Sequence, residues 1–236
     1  MLSYLKLVLL TIYVIIISIF ALIFSLIDRS FYLYFKLTKV FSKGILLISF
    51  VKLEITGLEN FDKNSVYVFV SNHISQFDIP ALQYGIPNKL SIVFKKELAK
   101  IPLFGWQLSL GPYIVIDRKN IGSALKSIQY AKKFMPEKHV SLLLFAEGTR
   151  SKTGEVQPFK RGAFYLASRV GYPIVPVSVS GSDKIMPKKR IKIKGGTIYI
   201  SFGEPINTVN VNSRKDELEL MENVRQIVIK NLKKGN

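Results

Sequence analysis

His73 and Asp78, five residues apart, are the pair in this chain best suited to moving a proton. A neutral imidazole takes a proton from a hydroxyl near pH 7. A carboxylate on the other ring nitrogen fixes the tautomer and stabilises the imidazolium that forms. On an ideal helix this spacing separates two side chains by about 140°. A turn must therefore lie between them. The blander alternative makes Asp78 a helix N-cap and His73 a loop residue. A serine hydrolase using Ser71 or Ser75 with His73 is a further alternative. No Gly-x-Ser-x-Gly elbow supports it.

The elements around the pair supply the turn. Val66 to Val70 is uncharged, β-branched and aromatic, as a core strand should be. Pro80 fits the first turn of a helix over about Ile79–Tyr84. His73 and Asp78 thus fall between a strand's carboxyl end and a helix's amino end, where open α/β sheets place ligand sites. Two more strand ends carry charge. Tyr113–Ile116 ends in Asp117-Arg118, and Val140–Phe145 ends in Ala146-Glu147-Gly148-Thr149-Arg150. In a parallel sheet all three lie on one edge. Gly148 lets backbone approach a ligand closely, and Arg150 offers a planar fork matched to phosphate.

Further strands are expected at Lys52–Thr56, Leu90–Phe94, Ile174–Val179 and Thr197–Phe202. Pro176 places an end, an edge or a bulge in the third of these. Leu98–Leu110 reads as a bent helix or loop lining an apolar cavity. Asn120–Met135 and Phe159–Val170 read as helices, the second closed by Gly171. Ser213 can cap a last helix with Leu218, Met221, Val224, Val228 and Leu232 on one face. Strands alternating with helices predict an α/β fold with a mostly parallel sheet flanked by helices.

An N-terminal membrane-associated helical segment precedes that domain. Residues 7–27 form an uncharged run long enough to cross a bilayer. Residues 30–51 are apolar but carry Lys36, Lys39 and Lys43 as a basic stripe. Such a helix can lie in the interface, its lysines among headgroups and its aromatics deeper. A single span and a membrane-dipping hairpin both fit. The division is 1–52 for the anchor and 53–236 for the α/β domain. Arg29, Lys36, Lys39, Lys43 and Lys52 follow the first run and only Lys6 precedes it. That bias places the domain on the cytoplasmic face.

The formal net charge of +18 calls for an anionic partner. The absence of cysteine excludes a disulfide scaffold, a thiolate metal site and a Cys nucleophile. No metal-ligand cluster, P-loop, zinc finger or RNA-binding signature is present, so nucleic acid is not the expected partner. Anionic membrane lipids are, and Lys184–Lys194, six basic residues in eleven, fits their headgroups or a solvated loop.

Four spaced blocks then stand in order. His73-x4-Asp78 is the first. Lys95-x2-Leu98-x6-Gly105-x12-Arg118 is the second. Glu147-Gly148-Thr149-Arg150 is the third, and Val175-Pro176-Val177 the fourth. Similar-looking runs are Pro158–Gly162 and Gly203–Ile206. Over about residues 55–210 the chain resembles the PlsC-type 1-acylglycerol-3-phosphate acyltransferases, within the glycerolipid acyltransferase family. The resemblance implies acyl transfer to the sn-2 hydroxyl of lysophosphatidic acid, giving phosphatidic acid. The donor would be an acyl-CoA or acyl carrier protein thioester as co-substrate, with no cofactor and no metal. His73 would be the general base and Asp78 its orienter. Lys95, Arg118 and Arg150 would hold the acceptor phosphate, and Glu147, Gly148 and Thr149 would shape its pocket. Two readings compete. One is the same chemistry on glycerol-3-phosphate, a lyso-ornithine lipid or another lysophospholipid. The other is a non-enzymatic, membrane-anchored basic binding protein, which an acyl-transfer assay would separate.

Overall fold

A computed structural model describes residues 2–116, 121–151, 153–187 and 192–232. Two helices open the chain, α1 (Leu2–Ile27) and α2 (Tyr32–Ser49). The α/β body follows as β1 (Val51–Thr56), β2 (Val68–Ser71), α3 (Asp78–Gly85), β3 (Leu90–Lys95), a 3-10 turn at Lys96–Lys100, and α4 (Phe104–Leu110). It continues with β4 (Ile114–Ile116), α5 (Ile121–Lys138), β5 (Ser141–Phe145), α6 (Arg161–Val170) and β6 (Ile174–Ser180). Last come α7 (Ser182–Ile185), β7 (Gly196–Phe202) and α8 (Arg214–Lys230).

The strands form one sheet in the order β1-β7-β6-β2-β5-β3-β4. All neighbours are parallel except β6 and β7. Alternation along each strand feeds two helical layers. Phe69, Leu143, Val175 and Val177 pack with Ala21 of α1, Tyr34 and Leu46 of α2, and Leu82 of α3. Val68, Val70, Leu142, Leu144 and Ile174 pack with α5, α6 and α8. Each such buried aliphatic contributes about 1.5–3 kcal/mol relative to exposure.

Several expectations shift by local physics. Pro176 sits in an interior strand, not at an edge. Its carbonyl accepts from Gly203 N, so its missing N–H also faces β7, just past the last paired residue, Phe202. The next bridge joins Ile174 to Ile206, so the β7 side carries one extra residue there. In α8, Glu217, Leu220, Val224 and Val228 face inward, while Leu218 is exposed. Ser213 does cap this helix, in a capping box with Asp216.

The basic stripe of α2 is also divided. Lys36 and Lys43 are exposed, but the Lys39 ammonium donates to the Ile86 carbonyl at the end of α3. Tyr34, Phe35 and Leu46 are buried against the domain instead of facing outward. Among the described residues, Ser3–Ile27 is long and apolar enough to cross a membrane. This helix is about 39 Å long, yet the domain is touched at its start and just past its end. Ser3 Oγ donates to Ile193 O at 3.3 Å, and Lys138 Nζ donates to Arg29 O at 3.0 Å. Its outward side exposes Ile12, Ile16, Ile19, Phe20 and Ile23.

Candidate active site

Strand register sets the site. Ser71 lies opposite Phe145, Ile92 opposite Leu143, and Lys95 opposite Ile116. The carboxyl ends of β2, β5, β3 and β4 therefore share one edge. His73 leaves β2 there, and the chain turns through Ser75–Phe77 into α3. Asp78 is fully buried and is not the cap of α3; that position belongs to Phe77. Its carboxylate instead gathers the turn behind it. Oδ2 accepts from Ile74 N at 2.7 Å, from Ser75 N at 2.9 Å, and from His73 Nδ1 at 2.7 Å. Oδ1 accepts from Ser182 Oγ.

This network assigns the imidazole tautomer. An oxygen already accepting two amide protons takes a third from Nδ1, so Nε2 is the unprotonated nitrogen. The ring stacks on Phe145, centroids 4.1 Å apart and 24° from parallel. The His73 side chain is 14% exposed, enough for Nε2 to meet a ligand. Its backbone is fixed on both sides: the amide donates to Glu147 Oε1 at 3.2 Å, and the carbonyl accepts from Ser151 N at 2.7 Å. Ser71 and Ser75 are poor hydrolase candidates. Both are buried, and their hydroxyls donate to the carbonyls of Asn72 and Met186.

Three residues given no role by the sequence complete the arrangement. Asn72 clamps β6, donating to Val179 O at 2.9 Å and accepting from Val179 N at 2.9 Å. Ser182 holds Asp78 from the first residue of α7, and Phe145 floors the imidazole. Asn72 stood beside His73 and could have been noticed. Ser182 lies 104 residues from Asp78, with no spacing to mark it.

The remaining predicted residues are less uniform. Gly148 takes φ +71°, a left-handed conformation that suits glycine, so the turn after β5 depends on it. Thr149 is exposed, and Arg150 is half-buried. Lys95 ends β3, two strands from His73, or about 10 Å by strand spacing. Its ammonium is 2.9 Å from Glu97 at an exposed position. Arg118, with Asp117 and Asn120, lies outside the described residues, as do Lys188–Ile191 of the basic segment. Arg161 serves the packing of α6 on α8, bonding the buried Glu217 at 2.7 Å. Leu98, Phe104 and Leu108 line an apolar cavity of ≈ 90 Å³, partly open to solvent, whose other walls include Ile17, Tyr34 and Tyr113.

Glu147 is buried, and its Oε2 has no hydrogen-bond partner among the described residues. Burial pushes its carboxyl up to about 7, against the pull of the His73 and Gln157 amides. Unfolded, the group ionises near 4.5. Between those values the native state binds more protons, so stability falls as pH rises. Glu147→Gln retains an acceptor for His73 N–H and carries no charge. Melting temperatures from about pH 5 to pH 8 should decline more in the wild type than in this variant. Parallel curves would show that the buried carboxylate ionises without cost.

The Acyltransferase family pattern matches residues 52–180, from the second residue of β1 to the last of β6. A 1-acyl-sn-glycerol-3-phosphate acyltransferase of Limnanthes alba is 33% identical over 182 residues, covering 77% of this chain and 64% of that protein. The alpha enzyme of that name from Homo sapiens is 32% identical over 158 residues, covering 67% and 56%. The chain thus spans less than two thirds of the length of these curated relatives. The crystal structure of the 1-acyl-sn-glycerophosphate (LPA) acyltransferase PlsC from Thermotoga maritima matches with a TM-score of 0.81 and 25% identity, over 97% of this chain and 92% of that one. The family pattern spans more than half of the chain and contains His73, Asp78 and the Glu147–Arg150 turn, and so this chain belongs to the Acyltransferase family.

Proposed function

We propose that this chain transfers an acyl group from a thioester, acyl-CoA or acyl carrier protein, to the sn-2 hydroxyl of 1-acyl-glycerol-3-phosphate. The His73–Asp78 pair carries the proposal. His73 Nε2 takes the hydroxyl proton as the oxygen attacks the thioester carbonyl carbon. Asp78 stabilises the imidazolium at 2.7 Å. The tetrahedral intermediate expels the thiolate, which recovers the proton as free thiol. Phosphatidic acid is the lipid product. The names of the relatives support this acceptor over others.

Residues 1–52 serve as the anchor and residues 53–236 as the catalytic domain. The contacts at the start of α1 and just past its end favour a helix lying along the domain with its outward face in lipid, and the excess of basic residues after the apolar run favours the cytoplasmic side. Lys36 and Lys43, exposed on α2, suit anionic headgroups.

Arg150, with Lys95 and Arg118, holds the acceptor phosphate, and Glu147, Gly148 and Thr149 shape the pocket beside it. A phosphate monoester carries nearly two charges near neutral pH and enters a partly dry pocket only against cations. A charge-assisted contact is worth about 1.5–3 kcal/mol, or roughly ten- to a hundredfold. Arg150→Ala should therefore lower kcat/KM for lysophosphatidate by about that factor. Arg150→Lys should restore only part, because an ammonium lacks the fork. A zwitterionic lyso lipid should be a poor acceptor for the wild type and lose little more. Equal losses on both acceptors would make Arg150 structural and reopen the choice of acceptor.

A further inference from the structure

We propose that the strap made by the 3-10 turn and α4 is a second membrane-contacting element, seated at the headgroup level of a lipid bilayer with Trp106 as its anchor. Its outer side is apolar and open: Leu98 is 38% exposed, Ile101 43%, Trp106 52% and Leu110 49%. Trp106 and Leu110 are one helical turn apart and share a face of α4. Lys96, Glu97 and Lys100 are exposed on the 3-10 turn. Apolar groups, one indole and flanking lysines are what the interface between headgroups and chains accepts.

The inner side of the strap is fixed, so the outer side is presented rigidly. Gly105 and Gln107 are buried. A Cβ on Gly105 would lie 2.3 Å from Leu98 O and 2.5 Å from Ala99 O, so the 3-10 turn sits directly on α4. Leu103 between them is held at φ +60°, a region that costs a bulky residue. Tyr34 Oη donates to Gln107 O at 3.2 Å. Side chains on the outer face have therefore not been left exposed by a loose segment.

Continuity identifies the occupant. The strap packs against α1, whose own exposed side carries Ile12, Ile16, Ile19 and Phe20. Large apolar side chains exposed on two packed elements mark a contact site more than a water-facing one. A bilayer that receives α1 must meet α4 beside it.

Trp106 is the single tryptophan, so the native chain carries its own reporter. The full chain would be reconstituted into phosphatidylcholine–phosphatidylglycerol vesicles containing lipids brominated at shallow or deep acyl positions. Shallow bromines should quench the emission about twofold more than deep ones, as for an indole at the interface. Aqueous iodide should quench it several-fold less than free N-acetyltryptophanamide. Iodide quenching near the free value, without bromolipid quenching, would overturn the proposal. Protection from both quenchers would overturn it too, and point to a second copy covering the strap, which cross-linking would detect. The readout needs no turnover, so its failure would leave the proposed acyl transfer standing.

Discussion

His73→Ala is expected to reduce turnover by about 10⁴-fold, the upper end for a general base. The attacking hydroxyl is a poor nucleophile until it loses its proton. Asp78 and the nearby serines cannot replace it: Asp78 is filled by donors, and the hydroxyls of Ser71 and Ser75 serve carbonyls. The variant should still fold. It loses a ring stacked on Phe145, worth about 0.5–1.5 kcal/mol beyond area, and one of the donors to Asp78, which keeps those from Ile74, Ser75 and Ser182. The backbone bonds from His73 to Glu147 and Ser151 remain. Thiol release and lipid product, measured with a melting curve, check both halves. Near-normal turnover would remove His73 from the mechanism.

Asp78→Asn should cost about 10³ in kcat with little change in acceptor KM. The two amides of Ile74 and Ser75 demand an oxygen where Oδ2 now sits. The Asn carbonyl meets that demand, and Ser182 Oγ can turn to accept from the new NH₂. His73 then keeps its tautomer and position, and only the charge is gone. An ion pair at about 4 Å in an effective dielectric of about 20 is worth about 4 kcal/mol, or about three powers of ten in rate. Asp78→Ala should instead destabilise the fold, because four buried donors lose their acceptor. Rates and melting temperatures of the two variants separate charge from scaffold. A kcat within tenfold of wild type in Asp78→Asn would show that the carboxylate's charge does not matter.

The sheet was legible because its strands are short uncharged runs that cannot be solvated, such as Val68–Ser71 and Ser141–Phe145, each ended by polar turn residues. His73 and Asp78 were legible as a pair because the turn between them follows from strand, spacing and Pro80. Ser182 was not, since it reaches Asp78 only after β6 has crossed the sheet. The inward turn of Lys39, which is half-buried, was hidden for a related reason. Helical spacing puts it with Lys36 and Lys43, and only the position of the Ile86 carbonyl pulls it inward. Leu220 displaced Leu218 because α8 turns the buried Glu217 toward Arg161. Patterns along the chain reveal which residues avoid water; they do not reveal which distant group will meet them.

The contacts of α1 also set an order of assembly. Chains fold as they are made, earlier segments first. When Ser49 has been added, α1 and α2 can pair while no strand of the sheet yet exists. Lys6 Nζ reaches Ser49 O at 3.0 Å and so closes the far end of α2. Tyr13 stacks on Phe41 at 6.2 Å, and its hydroxyl donates to Val40 O at 2.8 Å. Gly44 leaves the space for that ring, since a Cβ would fall 2.2 Å from its oxygen. The partners at the other side of α1, α4 and Ile193, are synthesised later. The growing chain can therefore complete a helical hairpin before the turn that carries His73 and Asp78 has been translated. The sheet is then laid down against that hairpin, so with the hairpin in its proposed role as anchor the domain is built at the bilayer instead of being delivered to it.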